Sequence, residues 1–396
     1  MSNLQPHLPV WLGTLVSLML ACTPAPQVPV GTEPGAPLPG LRPPELSRFE
    51  QGKALFDRVF TPEEGLGPLF NENQCSACHT DPVSGGTGEQ RVLKASRVLA
   101  GGRCDFLAGD RGQNIRRQAT ASLKHLGVQP ETPPPEAAAL GRFSPPFLFG
   151  LGLLEAIPDA ELLKRADPGD RDGDGISGRP GRAPSGALGR FGRKADIATL
   201  TDFVATALRL EMGLTSPLQP REAGLNGEPL PSEADPVPDP EVPMETLQRL
   251  VDFVRFLAPL SPEPLAADAR RDSVVAGGRI FQELGCPSCH VPSMITGRSE
   301  MPALDRKRVF LYSDVLLHDM GAELADVCSA GAEPSELRTE PLAGLRFRKA
   351  FLHDGRARSV REAILLHGGE AAKARARFGQ LDWASQLLLL RFLDSL

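Results

Sequence analysis

Two short runs in this 396-residue chain can do chemistry by themselves: Cys75-Ser-Ala-Cys78-His79 and Cys286-Pro-Ser-Cys289-His290. A Cys-x-x-Cys-His run attaches haem covalently. Its two thiols add to the vinyl groups on one edge of the macrocycle, and the adjacent imidazole is held beneath the iron as proximal ligand. Covalent fixing keeps the cofactor in a small helical body without a deep pocket. The other readings of such a run are a redox dithiol and half a zinc site. Zinc needs further Cys or His at ligand spacing, and a dithiol oxidoreductase needs a βαβ context; the sequence offers neither. Two copies, each behind an amphipathic helical pattern, favour two covalent haems.

The elements that must position these runs read as two related halves. ELSRFEQGKALFDRVF places Leu46, Phe49, Phe56, Val59 and Phe60 largely on one helical face. Gly52-Lys-Ala-Leu-Phe56 aligns with Gly277-Gly-Arg-Ile-Phe281, which leads straight into the second Cys run. Arg190-Phe-Gly-Arg-Lys-Ala195 resembles Arg346-Phe-Arg-Lys-Ala350, and helix 244–258 resembles 384–396, each closing its half. Residues 46–262 and 263–396 are therefore expected to be two domains. Segment 216–243, with eight prolines and six acids against one Arg, is expected to be a solvated acidic excursion from the first.

Trp11–Ala21 is an apolar run too short to span a bilayer and ends at Cys22. It fits a secretory signal over 1–21, with Cys22 as a lipidated mature N-terminus and 22–45, rich in proline, as an extended tether. Export would leave the protein periplasmic and held to a membrane by lipid alone. Of seven cysteines, Cys22 belongs to the signal and four bind haem. Cys104 and Cys328 remain, as a disulfide or as two buried thiols.

Lys and Arg number 43 against 49 Asp and Glu, a net charge of −6, which argues against a nucleic-acid partner. With one Tyr, two Trp and many Gly and Pro, the chain is expected to be all-α, its helices joined by long Pro/Gly-rich loops.

The runs around Cys75–His79, Phe149–Pro158, Asp172–Gly178, Leu317–Gly321, Leu352–Ala357 and His367–Ala371 stand in order. Together they resemble the bacterial di-haem oxidoreductases, relatives of the di-haem cytochrome c peroxidases. The resemblance covers about Leu46 to Leu396. It implies two cytochrome c-like helical domains with one c-type haem each, a peroxidase-like activity on a small oxidant such as peroxide, and a small redox protein as electron partner.

The resemblance also suggests ligands. In the peroxidases a Met four residues after an Ala ligates the second haem; here Ala363 plus four is His367, with His318 and Met320 as rivals. His353 is expected to anchor the haem surroundings by hydrogen bonding. No His lies between His79 and His125, so the first iron is expected to be open or weakly capped and to bind the oxidant. Peroxide cleavage needs an acid–base group there. Glu155, in the apolar run Leu151–Ile157, and Asp202 are the candidates. The Trp placed between haems in the peroxidases has no counterpart, since only Trp11 and Trp383 exist. Asp170, Asp172 and Asp174 have the spacing of a calcium loop, with Ser177 as a further ligand. Arg190, Arg193, Lys194, Arg338, Arg346, Arg348, Lys349, Arg356 and Arg358 are candidates to pair with haem propionates. The competing readings are a plain electron-transfer cytochrome and an oxygen-using oxidase or oxygenase, with an accessory role in iron uptake.

Overall fold

A computed structural model describes residues 33–107, 113–222, 224–225, 228–260, 262, 268–329 and 331–396. The signal, Cys22 and Trp11 lie outside them.

Two helix pairs frame the molecule. Helix α1 (Pro43–Phe56) packs against α3 (Met244–Phe256), and α4 (Asp268–Glu283) packs against α7 (Trp383–Asp394). The pairs are built alike. A Cβ on Gly52 would lie 2.0 Å from the Arg249 carbonyl and 2.8 Å from the Phe253 Cβ. A Cβ on Gly277 would lie 2.1 Å from the Leu388 carbonyl and 2.7 Å from the Phe392 Cβ. Only glycine lets the backbones approach so closely. Phe56 then stacks on Phe253 at 4.8 Å, as Phe281 does on Phe392 at 5.2 Å. The alignment of Gly52 with Gly277 is thus repeated in three dimensions.

The main apolar core holds Phe49, Phe56, Leu250 and Phe253, and it takes in Val291, Met294, Val309 and Leu311 from beyond residue 263. The two halves therefore share a core. A smaller core gathers Phe281, Phe378, Leu389 and Leu393 around the second helix pair.

The chain is not all-α. Strand β1 (Val92–Val98) pairs antiparallel with β2 (Cys104–Asp105) on one side and β3 (Ala139–Phe143) on the other. Strand β4 (Leu317–Asp319) pairs with β5 (Glu336–Arg338). Val92-Leu-Lys-Ala-Ser-Arg-Val98 carries strand formers at its ends, and composition taken over the whole chain conceals so local a signal.

Three further expectations change. Helix α1 ends at Phe56, and Leu46 and Val59 are exposed, so the apolar face is Phe49, Gly52 and Phe56. The end of the proline-rich tether docks: Leu38 is buried, and its N–H donates to the Phe256 carbonyl at 2.7 Å. The acidic segment packs too, burying Ala234 and Val242. Burial and neighbouring Glu241, Asp239 and Asp235 push Glu222 up to about 9, and Glu241 is pushed up to about 7, again chiefly by burial. Cys104 and Cys328 form a disulfide with a Cα separation of 5.7 Å, tying β2 to the second half. No described helix is long and apolar enough to cross a membrane.

Candidate functional site

Cys75–Cys78 forms one helical turn that presents both thiols and His79 to a cavity of about 730 Å³, within the size range of cofactor pockets. The Gly86 carbonyl accepts from His79 Nδ1 at 2.9 Å. This bond fixes the proton on Nδ1 and leaves the lone pair on Nε2, the usual preparation of a metal-ligating imidazole. Burial lowers the His79 pKa, keeping the ring neutral. The second run repeats the arrangement: the Tyr312 carbonyl accepts from His290 Nδ1 at 3.0 Å.

The thiols do not suit a redox dithiol, which needs a depressed pKa. Burial pushes Cys75 and Cys78 up to about 12 and Cys286 up to about 11. Nor does either run join a set of three converging metal-binding side chains among the described residues.

The wall of the first cavity also carries a guanidinium cluster. Arg193, Arg338 and Arg348 surround one carboxylate, Glu340, at 2.7, 2.9 and 2.9 Å. The carboxyl is buried, but the three guanidiniums hold it down at about 2. The Nε atoms of Arg193 and Arg348 are buried with no partner. Three guanidiniums, one carboxylate and two orphaned donors fit the propionate edge of a haem. Of the other expected propionate partners, Arg190 binds Asp159 and the Ile157 carbonyl, and Lys194 binds Asp326 at 3.0 Å. Lys349 pairs with Asp81 and Arg356 with Asp354, while Arg346 donates to the Leu396 carbonyl.

His367 ends helix α5 (Val360–Leu366) and donates from Nδ1 to the Ala363 carbonyl at 2.7 Å, so its Nε2 also carries the lone pair. It lies close enough to His290 that, after burial, its charge is the largest influence lowering His290 to about 4. Burial lowers the His367 pKa as well, so both imidazoles favour the neutral form. His318 is not their rival. Its Nε2 meets Asp314 at 2.9 Å and its Nδ1 meets Glu370 at 2.6 Å, leaving no lone pair for a metal. His353 Nε2 lies 3.1 Å from the Asp326 carboxylate without hydrogen-bond geometry, and His353 is not among the described residues lining the first cavity.

Among the described residues lining the first cavity, His79 is the sole histidine. The two expected acid–base groups are engaged elsewhere. Glu155 pairs with Arg255 at 3.0 Å, accepts from the Leu200 N–H at 2.8 Å, and does not line the cavity. Asp202 reaches the lining, but it is exposed, and its carboxylate accepts at 2.7 Å from the hydroxyl of Thr199, the residue that caps helix α2 (Leu200–Ala207).

Two further acids line the cavity, Glu72 and Glu211, both with pKa values raised by burial, and Glu211 is the one whose carboxylate is held by two side-chain amides. Helix α2 widens into a π-turn over Leu208–Met212, a distortion common at functional sites, and this turn carries Glu211 to the wall beside Cys78. Asn71 donates to its carboxylate at 2.9 Å and Asn114 donates to the other oxygen. Burial raises its pKa, the Asn71 bond opposing. The sequence held a signal: an acid set among Leu208, Leu210 and Met212 is the same pattern that singled out Glu155.

Asp170, Asp172 and Asp174 do converge. Ser177 does not join them, since its hydroxyl donates to Glu370 at 2.5 Å. Trp383 is 64% exposed and cannot bridge two buried cofactors.

Paired Cys-x-x-Cys-His turns, buried imidazoles with a free Nε2 and a cation-edged cavity fit a haem-binding redox protein. Residues 138–396 match the family described as "Di-haem oxidoreductase, putative peroxidase", and the chain belongs to that family. No curated protein matches it. Among solved structures it is similar to the hydrazine synthase of Kuenenia stuttgartiensis pressurised with xenon, at 14% identity and a TM-score of 0.37, covering 99% of this chain and 100% of that one. It is also similar to a MauG-like protein associated with microbial copper homeostasis, at 14% identity and a TM-score of 0.38, covering 98% and 95%.

Proposed function

We propose that this di-haem oxidoreductase is a periplasmic, lipid-tethered c-type enzyme of two cytochrome c-like domains that reduces peroxide at its first haem. Electrons enter at the second haem from a small redox protein. The observation that carries the reading is the contrast between the sites: among the described residues lining the first cavity His79 is the sole histidine, whereas His290 has His367 near enough to influence its titration. The reaction is H2O2 + 2 e⁻ + 2 H⁺ → 2 H2O.

Bound haems would supply electrons singly and a redox-active iron. Cys75 and Cys78 fix one cofactor edge, and Arg193, Arg338 and Arg348 receive the propionates. Glu211 accepts a proton from one peroxide oxygen and returns it to the other; burial raises its proton affinity, and Asn71 and Asn114 aim the carboxylate. Calcium in the Asp170–Asp174 loop is the remaining part of the reading, supported by the convergence of three carboxylates.

The test is an optical and spin-resonance titration of purified holoprotein with cyanide and peroxide, alongside peroxide turnover with a reduced cytochrome. The first haem should respond and the second should not. If neither haem responds in any oxidation state, the protein is an electron carrier.

A further inference from the structure

The search for buried charge outside the cavity leads to His318. It is 2% exposed and sits between Asp314 and Glu370, which is itself mostly shielded. Burial opposes its charge, but the two carboxylates, Asp314 on Nε2 and Glu370 on Nδ1, favour it and raise the pKa. Such a fully engaged imidazolium is costly unless it holds something in place.

What it holds is the segment leaving His367. Two glycines follow that residue. A Cβ on Gly369 would lie 2.0 Å from the Asp319 carbonyl, and one on Gly368 would lie 2.7 Å from the Met320 carbonyl. The exit from His367 therefore has no side chain to stiffen it until Glu370. Glu370 accepts four bonds: from His318 Nδ1 at 2.6 Å, the Ser177 hydroxyl at 2.5 Å, the Ser177 N–H at 3.1 Å and the Asp319 N–H at 3.2 Å. The same Nδ1 lies 3.7 Å from the Cys289 sulfur, and Asp314, the partner of Nε2, donates its N–H to the Cys289 carbonyl at 2.9 Å. One imidazolium thus joins the segment that binds the cofactor edge to the segment that carries the opposite imidazole.

We propose that Glu370 and His318 form a positioning clamp that keeps His367 seated opposite His290 at the second haem. The inference rests on the reading of His367 as an iron ligand. Helix α5 fixes the entry to His367 and the clamp fixes its exit. Ser177 comes from the first half, so the second iron's coordination is held partly by the other half of the chain.

The test uses holoprotein carrying Glu370→Ala, His318→Gln or Ser177→Ala, with haem content and the first haem's spectrum as controls for folding. Hydrogen bonds to charged groups are strong enough that losing the Glu370 set should enlarge the population of detached His367 by about 10- to 100-fold. In Glu370→Ala the reduced second haem should gain carbon monoxide binding and the oxidised one a high-spin signal. Added imidazole should restore the low-spin spectrum. Ser177→Ala, which leaves the His318–Glu370 bond in place, should show a smaller effect of the same kind. Unchanged ligation and potential in all three variants would overturn the clamp. His367→Ala separates this from the underlying reading: if it leaves the wild-type spectrum intact, His367 is not a ligand and both claims fall.

Discussion

The Asn71 amide donates to the Glu211 carboxylate at 2.9 Å across 140 residues of sequence, joining the approach to the first Cys run to the end of helix α2. This bond places an acid with a raised pKa on the wall beside Cys78. Glu211→Gln should slow peroxide turnover by about 10²-fold or more while both haems stay attached. Glu155→Gln should leave turnover within a few-fold, because Glu155 serves Arg255 and the Leu200 N–H. Steady-state assays of the two variants, side by side, decide between them.

Two covalent attachments should appear as two haem additions in a denaturing mass spectrum. Replacing both Cys286 and Cys289 with Ala should remove one addition and leave the first cavity's spectrum in place.

Imidazole favours ferric iron more than thioether does. His367→Met should therefore raise the potential of the second haem and give it a His/Met spectrum. A potentiometric titration that finds no change would move the assignment away from His367.

Glu222 is held at about 9 and Glu241 at about 7 in the folded chain, against an ordinary value near 4.5. For acids raised on folding, the contribution to stability is fully present below the unfolded pKa and is lost as pH rises through the folded one. The melting temperature should fall between about pH 5 and pH 9. Glu222→Gln, which cannot ionise, should flatten that profile and raise the melting temperature on its alkaline side.

The Cys104–Cys328 bridge spans 224 residues of sequence. Cys104→Ser with Cys328→Ser should lower unfolding stability by about 2–5 kcal/mol, read from denaturant melts of the two proteins.

Chemistry that depends on neighbours in sequence was legible in the sequence. Cys75–His79 and Cys286–His290 act through spacing of four residues or fewer, and Gly52 and Gly277 betray the paired helices because close backbone approach admits no other residue. His367 was singled out through its distance from Ala363. The contacts that decide roles join distant segments. Glu155 and Glu211 both lie in apolar surroundings, and only the packed chain sets Arg255 against the one and opens a cavity before the other. His318 was a rival ligand until Asp314 and Glu370 occupied both its nitrogens. Strand β1 escaped because pairing with β3, forty-odd residues on, supplies the hydrogen bonds that make seven residues a strand. Which cation meets which carboxylate depends on where the tertiary structure excludes water, and local sequence carries no measure of that.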